Sequence, residues 1–129
     1  MGRIDDIFAG LRAQGRKGLM PFLCGGHPAR GDLARLIPAM EAGGASIVEV
    51  GIPFSDPIAD GPVIAAAMHD ALQAGSTPES VLEEVASVRA RVQVGLVAMV
   101  SVSIAYRMGG ARGFVDRCAQ AGFDGFIFP

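Results

Sequence analysis

The spacing of apolar residues predicts a helix at the start of the chain. Ile4, Ile7, Phe8 and Leu11 recur at intervals of three and four residues across residues 3–14. This period places all four side chains on one face of a helix, which indicates an amphipathic segment that packs against a core.

Four apolar runs of strand length follow the first helix. They lie at residues 18–24, at 47–51, within 92–102 and at 126–128. Such runs are apolar on both faces, which is typical of parallel strands that helices cover on each side. Pro21 weakens the first run because proline has no N–H to donate to a neighbouring strand.

Helical patterns separate these apolar runs. Predicted helices begin near Gly31 and at Pro62, and two more span residues 78–90 and 112–121. In the first of them, Pro38 predicts a kink or a late start. Residues 104–108 fit neither a helix nor a loop clearly.

The order of the elements predicts the fold class. Strands alternate with helices four times, which favours βα units and an α/β fold with a parallel sheet. An eight-unit (β/α)8 barrel needs about 250 residues. We therefore expect residues 1–129 to be the N-terminal half of a single TIM-barrel domain, truncated within the fourth strand.

Composition excludes several classes of protein. The chain is 50% hydrophobic and 19% charged, which excludes a disordered chain. The chain has 11 basic and 13 acidic residues, and the basic ones form no stripe, so we expect no nucleic-acid partner. No apolar run approaches the length of a membrane span, and the N-terminus lacks the apolar core of a signal peptide.

The two cysteines predict neither a disulfide scaffold nor a metal site. Cys24 and Cys118 lie far apart and form no CxxC motif. We expect both to be small apolar core residues with free thiols, as in a protein of the reducing cytoplasm.

Residues 48–62 carry the candidate chemistry, with the sequence VEVGIPFSDPIADGP. Glu49 interrupts an apolar run, and a buried ionised carboxylate costs several kcal/mol unless it is paired. Asp60 follows in the next loop, and many α/β enzymes assemble acid/base pairs from a strand and the loop after it. From the residues alone, Glu49 fits a structural ion pair equally well, and Asp60 fits a turn or a helix cap.

A weak internal repeat indicates which type of residue the scaffold would favour at position 49. Residues 42–50 and 121–129 share a pattern in which a helix ends at glycine and leads into a buried strand. In this alignment Glu49 corresponds to Phe128. The repeat therefore predicts that the scaffold prefers a hydrophobic residue where the acid stands.

Residues 48–62 resemble the signature of the tryptophan synthase alpha chain family, as do Pro21, Phe22, Gly26 and Pro28. The resemblance implies a TIM barrel that cleaves indole-3-glycerol phosphate to indole and glyceraldehyde 3-phosphate in tryptophan biosynthesis. It implies no cofactor or metal for this chain. A pyridoxal-phosphate-dependent beta chain would be the partner in an alpha2-beta2 tetramer.

The resemblance also implies roles for individual residues. Glu49 would be the general acid/base that protonates the indole ring carbon, and Asp60 would accept a hydrogen bond from the indole N–H. Phe22 and Ile64 would line the indole pocket. Apolar surroundings favour the neutral form of an acid, which a proton donor needs.

In the same family, the loop after the second strand meets the beta chain. The resemblance places Pro53 and Asp56 at that interface.

The sequence departs from the family pattern at three places. Ser-Val-Ser-Ile at residues 101–104 replaces Tyr-x-Asn-Pro, His27 replaces an Asp, and Cys24 replaces a Thr. The phosphate-binding loops of the family would lie beyond Pro129, so we expect the isolated chain to be inactive. The alternative is a non-catalytic half-barrel scaffold that docks a beta chain or associates with itself.

Overall fold

The computed structural model describes residues 1–129, which form six helices and four strands. The helices are α1 (Arg3–Ala13), α2 (Leu33–Ala42), α3 (Pro62–Gln73), α4 (Pro78–Arg89), α5 (Val102–Arg107) and α6 (Gly110–Ala121). The strands are β1 (Phe22–Cys24), β2 (Ile47–Gly51), β3 (Gly95–Met99) and β4 (Gly125–Ile127). None of the helices combines the length and the apolar character needed to cross a membrane.

The four strands form one parallel sheet in the order β1-β2-β3-β4. This arrangement confirms the predicted α/β class. Glu49 in the middle of β2 lies level with Phe22 of β1 and with Val97 of β3. Val97 in turn lies level with Gly125 of β4.

One face of the sheet is buried under helices α2, α4 and α6. Val48, Val50, Leu96 and Ala98 point to this face and are fully buried. They belong to a cluster of 21 buried residues, which forms the main core. Because side chains alternate along a strand, Glu49 must point to the opposite face, which we call the inner face.

Helix α1 covers the end of the inner face where the strands begin. A Cβ atom added to Gly95 would lie 2.7 Å from Cδ1 of Ile4 and 3.1 Å from Cδ1 of Ile7. Gly95 therefore leaves room for the apolar stripe of α1, and this explains why the first helix is amphipathic.

The other end of the inner face also depends on a glycine. A Cβ atom at Gly51 would lie 2.5 Å from Cζ of Phe22, so the Phe22 ring lies directly over the end of β2. Gly125 also lies on the inner face, and a Cβ atom there would meet nothing within 4 Å. Packing therefore requires a glycine at position 51 but not at position 125.

A charged network joins the N-terminal ends of the strands. Asp124 accepts hydrogen bonds from the backbone N–H of Leu96 at 2.9 Å, from Arg89 at 3.2 Å and from Arg3 at 3.2 Å. Arg89 also donates to two carbonyls of the segment before β3, at 2.8 and 2.9 Å. The network thus joins α1, α4 and the starts of β3 and β4.

Helix α2 continues through Pro38, where the sequence predicted a kink or a late start. Proline cannot donate to the carbonyl of Ala34, four residues earlier. A guanidinium nitrogen of Arg91 donates to that carbonyl at 3.1 Å instead. A side chain from outside the helix therefore replaces the missing hydrogen bond.

The predicted start of the first strand at residue 18 is wrong, since β1 begins only at Phe22, after Pro21. Helix α6 begins at Gly110, two residues before its predicted start. Strand β3, predicted within residues 92–102, spans residues 95–99. The unclear segment near residue 104 is helix α5, which Ser101 caps by accepting the N–H of Ser103 at 3.3 Å.

The alignment of Glu49 with Phe128 is also wrong. The register of the sheet places Gly125 at the level of Glu49, three residues earlier. Strand β4 starts this early because the N–H of Asp124 already bonds to the carbonyl of Leu96 at 2.8 Å. Phe22 and Val97 do place hydrophobic neighbours on both sides of the acid.

Replacing Gly51 with alanine should destabilise the fold by about 1–3 kcal/mol, because the new methyl group must displace the Phe22 ring. Gly125→Ala is the matched control, and its stability should stay unchanged or rise slightly. Urea denaturation followed by circular dichroism measures both variants. Equal stability of the two variants would contradict the described packing of Phe22.

Replacing Asp124 with asparagine should lower the free energy of unfolding by about 1.5–3 kcal/mol, because the hydrogen bonds to two guanidinium groups lose their ionised acceptor. Asp116→Asn, at an exposed position of α6 with no ion pair, should change it by less than about 0.5 kcal/mol. Denaturant titration compares them. A similar loss in both variants would show that Asp124 does not hold the network together.

Candidate active site

An apolar cluster occupies the inner face at the C-terminal ends of the strands. Its buried members are Cys24, Met68 and Ala71. Phe22, Phe54, Ile64, Ala67 and Met99 are partly buried and pack against them. The structure therefore brings together Phe22 and Ile64, the two residues predicted to line a pocket.

A cavity of about 300 Å³ adjoins this cluster. The loop after β2 forms one side of it and includes Asp56 and Asp60, while Met68 and Met99 line another. A volume near 300 Å³ is at the lower end of small-molecule sites. The cavity is thus a mainly apolar space with carboxylates at its loop side.

Glu49 lies on the inner face, one layer deeper in the sheet than Cys24 and Met99 of this cluster. Two residues along a strand correspond to about 6.6 Å, which separates Glu49 from the level of Gly51 and Met99. The Glu49 side chain is half-buried and takes part in none of the four ion pairs of the chain. The structural ion pair that its sequence position also allowed is absent.

Other carboxylates of the chain show what a structural role looks like. Glu41 accepts the backbone N–H groups of Gln93 and Val94, both at 2.6 Å. Glu84 accepts two N–H groups at the start of α2, at 2.8 and 3.3 Å. Glu49 has no comparable partner, so its carboxyl group is free to interact with a ligand.

Asp60 does not cap the helix that follows it. The N-cap of α3 is Gly61, and no side chain donates to or accepts from that end of the helix. The Asp60 backbone N–H bonds to the carbonyl of Pro57 at 3.2 Å, which fixes the turn and leaves the carboxylate free. The helix-cap interpretation of Asp60 therefore fails.

Asp60 lies close to the end of β1. Burial and, to a smaller extent, the negative charge of Asp60 together raise the pKa of the Cys24 thiol to about 11. Cys24 is therefore a neutral thiol at pH 7 and, like Cys118, is free and buried. Asp60 lines the same cavity as Met68 and Met99 of the apolar cluster.

The two predicted interface residues differ in accessibility. Asp56 is exposed and accepts a hydrogen bond from the hydroxyl of Ser55 at 2.9 Å. Pro53 is buried and borders a second groove, next to Glu79 and Arg107. Of these two residues, only Asp56 is accessible to a partner.

Met68 and Met99 are among the cavity residues that the sequence analysis missed. Met68 lies four residues after Ile64 on α3, so helical spacing could have placed it on the same face. Met99 follows only from the register of β3, which the sequence does not reveal. The chain contains no group of three His, Cys, Asp or Glu side chains that could hold a metal ion.

The arrangement suits proton transfer to a flat apolar ligand. Aromatic and aliphatic side chains provide a surface for a ring, and two carboxyl groups without partners in the chain stand at different depths of the same face. A carboxyl group near apolar walls can act as an acid, and a carboxylate near the loop can balance a positive charge.

Sequence comparisons identify relatives of about twice this length. A family model described as tryptophan synthase alpha chain matches residues 8–129. The tryptophan synthase alpha chain of Burkholderia mallei (strain NCTC 10229) is 43% identical over 127 residues, covering 98% of this chain and 47% of the relative. That of Halorhodospira halophila is 42% identical over 127 residues and is covered to 46%. The chain thus spans about half the length of the curated relatives it matches.

Solved structures show the same relation. The alpha subunit from Legionella pneumophila str. Paris superimposes with a TM-score of 0.95 at 33% identity, over 99% of this chain and 49% of that one. A chain of the aminoacrylate-bound tryptophan synthase from M. tuberculosis gives a TM-score of 0.92 at 32% identity, over 100% of this chain and 52% of that one. The four parallel βα units thus correspond to about half of the alpha-subunit TIM barrel. The chain belongs to the tryptophan synthase alpha chain family.

Proposed function

We propose that this chain carries the two catalytic carboxyl groups of a lyase that cleaves indole-3-glycerol phosphate to indole and glyceraldehyde 3-phosphate. The observation that carries the proposal is the lack of hydrogen-bond and ion-pair partners at Glu49 and Asp60. Both are without partners in the chain, and both belong to the inner surface on which Phe22 and Ile64 pack. Family membership gives the reaction class.

Glu49 would act as the proton donor. Protonation of the ring carbon that bears the glycerol phosphate makes the ring electron-poor. The bond between that carbon and the side chain then breaks, and its electron pair returns to the ring. The adjacent hydroxyl group gives its proton to Glu49, now a carboxylate, as the aldehyde forms. Phe22 and Val97 lie level with Glu49 on the two neighbouring strands and give it apolar neighbours on both sides.

Asp60 would stabilise the charge that protonation creates. The positive charge spreads to the ring nitrogen, and a carboxylate that accepts the N–H hydrogen bond lowers the energy of this state. Asp60 lies at the loop side of the cavity, next to the apolar cluster, and this position supports the role. The two carboxyl groups would then act on opposite edges of one ring.

The phosphate of the substrate would be held by loops that follow later strands, as in many TIM barrels. We therefore expect the isolated chain to be inactive.

Asp56, with Pro53 behind it, would contact a tryptophan synthase beta chain in an alpha2-beta2 tetramer. Pyridoxal phosphate would belong to that beta chain, and the alpha reaction would need no cofactor or metal. The enzyme would work in the cytoplasm.

A second candidate function is a non-catalytic half-barrel that associates with itself or docks a beta chain. The exposure of Phe126, Ile127 and Phe128 on and after the edge strand β4 favours it, since each is 40–42% exposed. Free strand edges with apolar side chains pair readily with other chains.

Replacing Glu49 with glutamine should abolish most of the lyase activity, because glutamine keeps the shape and cannot donate the proton. The assay needs a complete barrel, so we would join this chain to the C-terminal half of the Burkholderia mallei relative. We expect indole release to fall by about 10²–10⁴-fold. Glu83→Gln, on the exposed side of α4, should retain the parent rate. Parent activity in Glu49→Gln would refute the acid/base role.

The self-association candidate predicts a concentration-dependent dimer of the 129-residue chain in sedimentation velocity. Ile127→Lys should dissociate it, because a charge on the β4 edge opposes strand pairing. Val115→Lys, which is similarly exposed at 38% on α6, is the control and should leave the dimer intact. A monomer at all concentrations would exclude this candidate.

A further inference from the structure

Both outer edges of the sheet carry apolar side chains that the chain itself does not cover. Beside β1, the segment before the strand exposes Leu19 to 57% and Met20 to 47%. On β4, at the opposite edge, Phe126 and Ile127 are each 40% exposed. The strand order β1-β2-β3-β4 leaves both edges without a neighbouring strand. Open strand edges with apolar side chains are places where a sheet binds a further strand.

The backbone before β1 already has the geometry of a strand. The carbonyl of Leu19 accepts the N–H of Ser46 at 2.8 Å, and that of Pro21 accepts the N–H of Glu49 at 2.9 Å. This segment therefore extends β1 alongside β2. Because backbone carbonyls alternate between the two sides of a strand, the carbonyl of Met20 faces the free edge.

Strand β4 has the same arrangement at the other edge. The carbonyl of Ile127 accepts the N–H of Val100 at 3.1 Å, so the carbonyl of Phe126 faces away from β3. Each edge therefore offers backbone hydrogen-bonding groups together with exposed apolar side chains.

The stagger of a closed barrel predicts which residues of the two edges would meet. A TIM barrel shifts its hydrogen-bond register by about eight residues in one circuit, so four strands account for about four. Within the chain, Phe22 lies level with Gly125 across the sheet. An offset of about four residues from Phe22 gives Gly18 or Gly26 as the partner of Gly125. Gly26 lies in the turn after β1, so the extended segment that starts at Gly18 is the one that can pair.

This register matches the exposed side chains in pairs. Leu19 comes level with Phe126, and Met20 comes level with Ile127. Because side chains alternate along a strand, Met20 and Ile127 both point to the inner face. Leu19 and Phe126 both point to the face that the helices cover. The exposed apolar side chains of one edge thus fit those of the other on both faces of the sheet.

We propose that two copies of the chain form a closed eight-stranded barrel, in which β4 of each copy pairs with β1 of the other. The sheet has the curvature of half such a barrel. A twofold rotation about the barrel axis keeps all eight strands parallel, and the contact occurs twice, so no edge stays open. This arrangement rests on the proposed self-association and specifies its strands and its register.

One substitution at each edge tests the closed barrel. Met20→Glu and Ile127→Lys each place a charge in an apolar contact, and each affects both contacts of the symmetric dimer. We expect either variant to raise the dissociation constant of the dimer by more than about tenfold in sedimentation velocity, because an unpaired buried charge is costly. Both side chains are largely accessible in the single chain, so circular dichroism should show an unchanged fold. Val63→Glu, at an 81% exposed position of α3, is the control and should leave the dimer intact.

A mixture of the two variants tests the pairing of β4 with β1. In a mixed dimer, the two opposite charges meet in one contact and the other contact is unchanged. We therefore expect the mixture of Met20→Glu and Ile127→Lys to associate at least about tenfold more tightly than either variant alone. Pairing of β4 with β4 predicts no such gain and no effect of Met20→Glu.

A chain with both edges paired internally is a second control. Fusion to the C-terminal half of the Burkholderia mallei relative supplies the remaining strands, so the fusion should be a monomer. A fusion dimer as tight as that of the 129-residue chain would show that association uses another surface.

The outcomes separate the closed barrel from self-association as such. If the unchanged chain forms a dimer and Met20→Glu has no effect, or if the mixture shows no gain, the closed barrel is wrong while self-association remains. A monomer at all concentrations overturns both. Weaker dimers of both variants with recovery in the mixture support both.

Discussion

Burial of one face of the parallel sheet is the constraint on which the structure depends. Val48 and Val50 of β2 must lie under the helices, because the core of the chain is there. Alternation along the strand then forces Glu49 onto the inner face, whatever its chemistry. A shift of one residue in β2 would bury the acid in the main core and expose the valines, so the register itself protects the site.

Carboxylates with and without hydrogen-bond partners lie at different positions in the chain. Glu41 and Asp124 lie where the strands begin, and each accepts hydrogen bonds from backbone N–H groups. Glu49 and Asp60 have no such partners. Glu49 lies in the middle of β2, and Asp60 lies in the loop beyond the end where the strands finish. This is the end at which TIM barrels place their chemistry. The hydrogen-bonded carboxylates and those without partners are thus already separated in four βα units.

Glycines shape both ends of the inner face. Gly95 admits helix α1, and Gly51 admits the ring of Phe22 above Glu49. Side-chain size at these two strand positions decides how deep the inner surface is. The Phe22 ring and the methionines then give that surface its apolar character, so a ring-shaped ligand would find stacking area close to an acid.

Much of the fold could be predicted from the sequence, and less of the site. Strand β2 and helices α1, α3 and α4 were predicted within about one residue, because their apolar periods and glycine or proline boundaries are strong. Helix α5 was not predicted, because its six residues are too few to show a helical period of apolar positions. The alignment of Glu49 with Phe128 failed because register depends on hydrogen bonds between strands, which local sequence does not contain. For the same reason Met99 could not be found.

The roles of Glu49 and Asp60 came from the resemblance, and the structure adds the absence of competing partners. The central claim is that Glu49 faces a ring-binding surface. It is tested most directly by adding indole to the chain and following the side-chain carboxyl signals of its glutamates by NMR. We expect the Glu49 signal to shift while the signals of Glu41 and Glu84 stay unchanged. An unchanged Glu49 signal with bound indole, or equal shifts at all three residues, would contradict the claim.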